Sequence, residues 1–126
     1  MSTSCAHSYP LEQTFRLSAD IGFDGLEVMV MHDRRTRDAE TLKTLSARYN
    51  QPILSIHAPV LLATSFVFGL SAKVKLEKSA ALARAVGAPT VVVHPPFRWQ
   101  GGYSRVFAEV VGEVAHTYGV RVAVEN

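Results

Sequence analysis

The sequence predicts an α/β fold on a parallel sheet, and three observations carry that prediction. Apolar, β-rich runs alternate with longer segments of helical period, the helical segments stop at Gly or Asn, and ionisable residues recur near the ends of the strand-like runs at a spacing of one strand plus one helix. Strands joined by helices of this length need crossover connections, so the sheet is parallel with right-handed βαβ units.

The elements follow in order. Ser2 to Ser8 is read as a first strand. Pro10 suits a first helical position, Leu11, Phe15, Leu17 and Ile21 supply the apolar side of the helix it opens, and Gly22 ends it. A short strand spans Gly25 to Val30. The helix from Asp38 to Tyr49 puts Ala39, Leu42, Leu45 and Tyr49 on one face and stops at Asn50 and Pro52. Ile53 to His57 is the next strand. Ser71 to Val86, rich in the strong helix formers Ala and Leu, closes at Gly87 and Pro89. Thr90 to His94 follows as a strand. In the helix from Ser104 to Tyr118, Val106, Phe107, Val110, Val111, Val114 and Tyr118 form a stripe that Gly119 terminates. Val120 to Glu125 completes five strands and four helices.

Composition narrows the class further. The 126 residues suffice for one domain, and 48% hydrophobic with 19% charged is the usage of a folded globular chain. Lys and Arg exceed Asp and Glu by only +2 and are scattered, which argues against nucleic acid as a partner. Cys5 stands alone, so no internal disulfide forms and a reducing compartment is consistent. The longest uncharged apolar stretch, Ala58 to Ala72, is short of the roughly 20 residues of a membrane helix and contains Thr64, Ser65 and Ser71. Met1 to Phe15 has neither the basic start nor the apolar run of a signal peptide. A cytoplasmic location without membrane contact is the expectation.

Side chains alternate between the two faces of a strand, which divides each run into two sets. Leu54 and Ile56 oppose Ile53, Ser55 and His57; Val91 and Val93 oppose Thr90, Val92 and His94; Val120, Val122 and Val124 oppose Arg121, Ala123 and Glu125. One set is aliphatic and suited to cover by helices. The other carries small residues and ends in an ionisable group. From Glu27 to His57 is 30 residues, from His57 to His94 is 37 and from His94 to Glu125 is 31. A complete (β/α)8 barrel uses roughly 31 residues per unit and places its chemistry at the C-terminal ends of its strands. Two imidazoles and one or two carboxylates converging there suit a first-row divalent ion such as Zn, Mn, Co or Fe. Taken singly, a strand-end His or Glu is more often hydrogen-bonded structure than a ligand. Glu125 has the strongest individual case, because a carboxylate between aliphatic neighbours needs a charge partner if buried. Glu27, followed by Val28, Met29 and Val30, is expected below the mouth.

Four short motifs stand in register: Gly22-Phe23-Asp24-Gly25-Leu26-Glu27-Val28, Ser55-Ile56-His57-Ala58-Pro59, Val92-Val93-His94-Pro95-Pro96 and Val122-Ala123-Val124-Glu125-Asn126. Their order and spacing resemble the xylose isomerase-like TIM-barrel superfamily, which contains sugar phosphate isomerases and epimerases as well as apurinic-site endonucleases. The resemblance covers the chain from its first strand to its fifth and implies the first half of a (β/α)8 barrel. It implies that Glu125 is a metal ligand and catalytic residue. It leaves His57 and His94 either as metal ligands, as in the endonucleases, or as residues lining the substrate pocket, as in the isomerases. Glu27, Arg98 and Asn126 are the further candidate substrate-binding positions. The implied cofactor is one divalent ion, Mn, Zn, Co or Mg, acting as a Lewis acid while carboxylates move a proton beside a carbonyl. The implied partner is a small sugar or sugar phosphate.

The family's remaining ligands, on strands six to eight, have no counterpart before Asn126. Three outcomes accommodate this: a fragment of a longer protein, which is the preferred expectation, a homodimer closed through the open barrel edge, or a barrel half without activity. Among lesser candidates, Phe97 to Gly102 precedes a helix, where Arg98 and the backbone amides could hold a phosphate, although an ordinary turn with Trp99 packed over it is the commoner outcome. The apolar loop Val60 to Leu70 either covers a substrate or packs beneath itself. His32, Asp33, Arg34 and Arg35 follow a strand and read as a solvated charge run within reach of the mouth. His7 and His116 read as structural. The preferred function is a metal-dependent sugar or sugar-phosphate isomerase/epimerase, with an abasic-site endonuclease and an inactive remnant as the alternatives.

Overall fold

The computed structural model describes residues 1–59, 66–97 and 101–125. Four parallel strands, β1 (Leu26–Met29), β2 (Ile53–His57), β3 (Thr90–Val93) and β4 (Arg121–Val124), lie side by side in sequence order. Sequential order without reversal is how a barrel wall is built, whereas a doubly wound sheet changes direction partway. The helix α1 (Leu11–Ile21) precedes β1, and α2 (Ala39–Tyr49), α3 (Ala72–Val86) and α4 (Gly101–Tyr118) form the three crossovers.

Each helix end has a local cause. Asp38 and Ser71 cap α2 and α3, their side chains accepting from the amides of Thr41 and Val74. Gly22, Asn50 and Gly87 take left-handed backbone angles that close α1, α2 and α3. The core lies between the sheet and the helices: Val28, Ile56 and Val91 on the sheet meet Phe15, Leu42 and Leu76 on α1, α2 and α3, all fully buried. A buried polar clamp joins α1 to the entry of β2. Ser18 Oγ donates to Gln51 Oε1 at 2.7 Å, and Gln51 Nε2 donates to the carbonyl of Phe23 at 3.0 Å.

Four predicted features are corrected. Ser2 to Ser8 is not a strand: it forms a 3₁₀ turn at Thr3–Ala6 and makes a single parallel bridge, Ser2 to Glu27. Its short polar side chains compete for backbone partners, Ser2 Oγ taking the amide of Ser4 and Thr3 Oγ1 that of Met29, so the sheet has four strands rather than five. The expected grouping of Leu54 with Ile56 also fails. Leu26 pairs with Ile53 but Glu27 pairs with Ser55, so Leu54 is a bulge that reverses the phase, leaving Ile53 buried and Leu54 46% exposed. Gly25 permits this, because a Cβ there would lie 2.5 Å from the Pro52 carbonyl and 2.8 Å from Leu54 Cγ. Ile21, assigned to the apolar face of α1, is exposed; the buried face is Leu11, Thr14, Phe15 and Ser18. Finally, α4 begins at Gly101 rather than Ser104. The other boundaries agree to within a residue or two, the strand predicted to end at His94 stopping at Val93 and that predicted to end at Glu125 stopping at Val124.

The bulge does not disturb the strand ends. Above it the register runs Met29, His57, Val92, Ala123 across one face and Val28, Ile56, Val91, Val122 across the other. The second row faces the helices. The first faces the side that a closed barrel would enclose, and one layer below it stand four polar residues in line, Glu27, Ser55, Thr90 and Arg121.

Candidate metal centre

Three strand ends bring three side chains together. His57 is the last residue of β2, while His94 and Glu125 are the first residues after β3 and β4, the amide of Glu125 extending the ladder by donating to the Val93 carbonyl at 3.0 Å. His57 is 2% exposed, and the other two side chains are partly open to solvent. His57 Nε2 lies 3.1 Å and His94 Nε2 3.8 Å from Glu125 Oε2, with the two rings 5.2 Å apart between centroids.

The other ring nitrogens are held by backbone carbonyls. His57 Nδ1 is 2.8 Å from the carbonyl of Ala58, and His94 Nδ1 is 3.0 Å from the carbonyl of Glu125. A carbonyl only accepts, so each Nδ1 carries the hydrogen, and in a neutral imidazole Nε2 is then a lone pair. With both rings neutral, two lone-pair nitrogens and a carboxylate oxygen face one another, whereas a protonated ring would donate from Nε2 to Glu125. Such a cluster calls for positive charge at its centre, and a backbone carbonyl that holds the far N–H of the ring is the usual way a metal-ligating histidine is oriented.

The spacing fits as well. One potential ligand atom from each of His57, His94 and Glu125 lies within 4.8 Å of the other two. Ligands bound at about 2.1 Å to a common first-row ion stand about 3–4 Å apart, so small side-chain movements suffice. A nitrogen, nitrogen, oxygen donor set suits Zn, Mn, Co or Fe better than the all-oxygen preference of Ca.

Among the described residues, the other predicted site residue, Glu27, is not part of this cluster. Glu27 lies one layer lower, opposite Ser55, whose Oγ donates to Glu27 Oε2 at 3.0 Å, so its carboxylate sits inside the wall rather than at the rim. Arg98, Trp99 and Asn126 lie outside the described residues, as do 60–65 of the apolar loop. Of the rest of that loop, Val67 is buried in the core while Phe66 and Leu70 are 78% and 73% exposed. The charge run after β1 satisfies itself: Arg35 grips both carboxylate oxygens of Asp33 at 2.8–3.1 Å, which holds the Asp33 carboxyl below its ordinary range. His116 is exposed on α4. What sequence reasoning missed were the Ala58 and Glu125 carbonyls that orient the rings. No side-chain pattern could have shown them, since every residue carries a carbonyl.

A parallel wall with ionisable groups gathered at the C-terminal ends of consecutive strands defines the TIM-barrel class of site. The chain belongs to the xylose isomerase-like TIM barrel family, whose model matches residues 15–126. It is 46% identical over 125 residues to an uncharacterized protein of Mycobacterium leprae, covering 98% of this chain and 45% of that protein. An uncharacterized protein of Mycobacterium tuberculosis is 43% identical with the same coverage. The chain thus spans about half the length of these relatives. Among solved structures it is similar to the 3-keto-D-glucoside 4-epimerase of E. coli, with a TM-score of 0.66 at 18% identity over 92% of this chain and 51% of the epimerase. It is also similar to a xylose isomerase domain protein of Planctomyces limnophilus, with a TM-score of 0.63 at 18% identity over 89% and 48% of the two chains. At this identity the two structures show a common fold. No helix of the described residues is long and apolar enough to cross a membrane.

Proposed function

We propose that this chain supplies the metal-binding half of a sugar or sugar-phosphate isomerase/epimerase of cytoplasmic metabolism. The observation that supports it is the convergence of His57, His94 and Glu125, with each ring's Nδ1 held by a backbone carbonyl and its Nε2 turned toward Glu125 Oε2. These three atoms would hold one divalent ion, which supplies Lewis-acid polarisation of a substrate carbonyl when bound. His57, buried and fixed through Ala58, sets the inner limit of the site. His94 and Glu125 border its solvent side.

Glu125 has a second use. Its Oε2 faces the imidazoles, whereas Oε1 has no partner among the described residues and is available to take a proton from the carbon next to a carbonyl. Returning that proton to the neighbouring carbon isomerises the sugar, whereas returning it to the same carbon from the other side needs a second base. In this reading that base and the remaining ligands come from strands beyond those of this chain, in keeping with the greater length of the relatives. Glu27 then acts from within the wall, and Arg98 and Asn126 are the positions assigned to substrate.

Loading the purified protein with Mn, Zn or Co and following deuterium exchange at the α-carbon of a panel of aldoses, ketoses and their phosphates tests the reading. Stoichiometric metal with exchange on at least one sugar is expected. Neither metal binding nor exchange, in a protein of the relatives' length, overturns it.

The two-histidine donor set favours a second reading, a phosphodiesterase acting at abasic sites, because the endonucleases of this superfamily use histidines at these strand ends as ligands. The net charge of +2 offers little attraction for a phosphate backbone. Salt-sensitive cleavage of abasic DNA, without sugar exchange, would establish this reading in place of the first.

A further inference from the structure

A cavity lies between the N-terminal turn, the start of α1 and the residues that follow β1. Its volume is about 150 Å³, and its lining includes the hydroxyls of Thr3 and Thr14, apolar Leu11 and Met31, and the ionisable side chains of His7, His32 and Asp33. Thr3 is 6% exposed, and its Oγ1 accepts from the Met29 amide at 2.9 Å while its hydroxyl hydrogen finds no acceptor among the described residues. Thr14 is 2% exposed, and its hydroxyl has only a long 3.4 Å contact to the Pro10 carbonyl. A buried hydroxyl with an unused donor costs free energy unless water or a ligand accepts from it.

We propose that this cavity binds a small uncharged polyol. Size sets the first limit, because a pocket of this volume holds a molecule of about six heavy atoms. Chemistry sets the second. Leu11 and Met31 offer apolar surface for C–H groups, while Thr3 offers a donor and His7 and Asp33 offer polar atoms, the alternation that a hydroxylated carbon chain presents. Charge sets the third. The carboxylate of Asp33 is already held by Arg35, so it gives a cation no unmatched partner there. The site is separate from the metal centre, since Met29, which Thr3 engages, lies between the cavity and His57 in the sheet register.

The test is an amide chemical-shift titration with glycerol, inorganic phosphate and benzene as probes. Glycerol is expected to produce saturable shifts at Thr3, Thr14 and Met31 and none at His57 or His94. Thr3→Val removes the hydroxyl and weakens glycerol binding about tenfold, a loss equivalent to about 1.4 kcal/mol. Because Thr3 also holds Met29, Met31→Phe serves as the second variant: it fills the cavity while leaving every hydrogen bond in place, and it abolishes the saturable response. Saturation by phosphate or benzene but not glycerol overturns the proposal. So does a glycerol response that is linear in concentration and unchanged in Met31→Phe, which would mean that the cavity holds water alone.

Discussion

His57 Nε2 and Glu125 Oε2 stand 3.1 Å apart, two acceptors when the ring is neutral, and this pair gives the sharpest test of the metal centre. Glu125→Gln replaces a carboxylate oxygen by an amide that can donate to Nε2, so it satisfies the cluster internally while removing an anionic ligand. Metal affinity measured by calorimetry is expected to fall about 100-fold, with the melting temperature of the metal-free protein unchanged or raised. An unchanged affinity would show that Glu125 is not a ligand. His57→Ala differs, because it removes a donor and also hollows a buried position, so both affinity and stability should drop. Away from the site, Glu12 accepts from the Tyr49 hydroxyl at 2.9 Å and pairs with Arg48 at 2.6 Å, tying α1 to α2. Chiefly the Tyr49 hydrogen bond, then that of Arg48, lowers its pKa from 4.5. A carboxyl whose folded pKa is depressed contributes stability above its unfolded value and loses it as the pH falls through the folded one. Glu12→Gln should therefore flatten the acid limb of a stability-against-pH curve below pH 4.5 and remove the pair's contribution above it. Parallel curves for the two proteins in acid would show that the pair contributes nothing.

At the scale of elements, two substitutions separate backbone from side-chain causes. Gly25→Ala places a methyl against the Pro52 carbonyl and Leu54 Cγ, and about 1–3 kcal/mol of destabilisation is expected from denaturant unfolding. Adding Leu54→Ala relieves only the side-chain clash, so the double variant should recover little. Full recovery would show that the bulge, not the carbonyl, requires the glycine. Ser71→Ala removes the α3 cap and should cost about 1 kcal/mol. The same elements show what the sequence disclosed. The helices were legible because Asp38, Ser71, Gly22, Asn50 and Gly87 mark their ends chemically, and the strands because valine and isoleucine runs have few alternatives. The bulge at Leu54 was not legible, since one inserted residue leaves a run equally apolar and only pairing with Glu27 fixes the phase. Nor was the N-terminal turn, where Ser2 and Thr3 draw backbone amides away from a ladder. Of the site, the identities and spacing of His57, His94 and Glu125 were readable from strand period and unit length. The choice of ring nitrogen was not, because it depends on two carbonyls that meet the rings only after folding.

For the whole molecule, the two sides of the sheet differ in a way that couples the site to stability. The helix-facing row is sealed, with Val28, Ile56 and Val91 at 0% exposure, whereas β4 at the edge leaves Arg121, Ala123 and Val124 open, Val124 at 48%. An edge strand bonded on one side has fewer contacts to break, and β1 at the opposite edge is covered by Met1 and Thr3, which accept from the Glu27 and Met29 amides, so β4 should open locally at lower free energy than β1 or β2. The three candidate ligands come from the ends of β2, β3 and β4, so a cation held among them would tie this edge to the buried centre. Hydrogen exchange should therefore show weak protection of the β4 amides in the metal-free protein and a rise confined mainly to β3 and β4 when Zn or Mn is added. With the ion at 100 times its dissociation constant, linkage sets the stabilisation at about 2.7 kcal/mol. Chelator should reverse the effect, and Glu125→Gln should abolish it, because its ligand belongs to the edge strand. A uniform rise in protection across all four strands would instead mean that the sheet opens only by global unfolding. Protection unchanged by metal in both proteins would mean that the three strand ends are not joined by an ion.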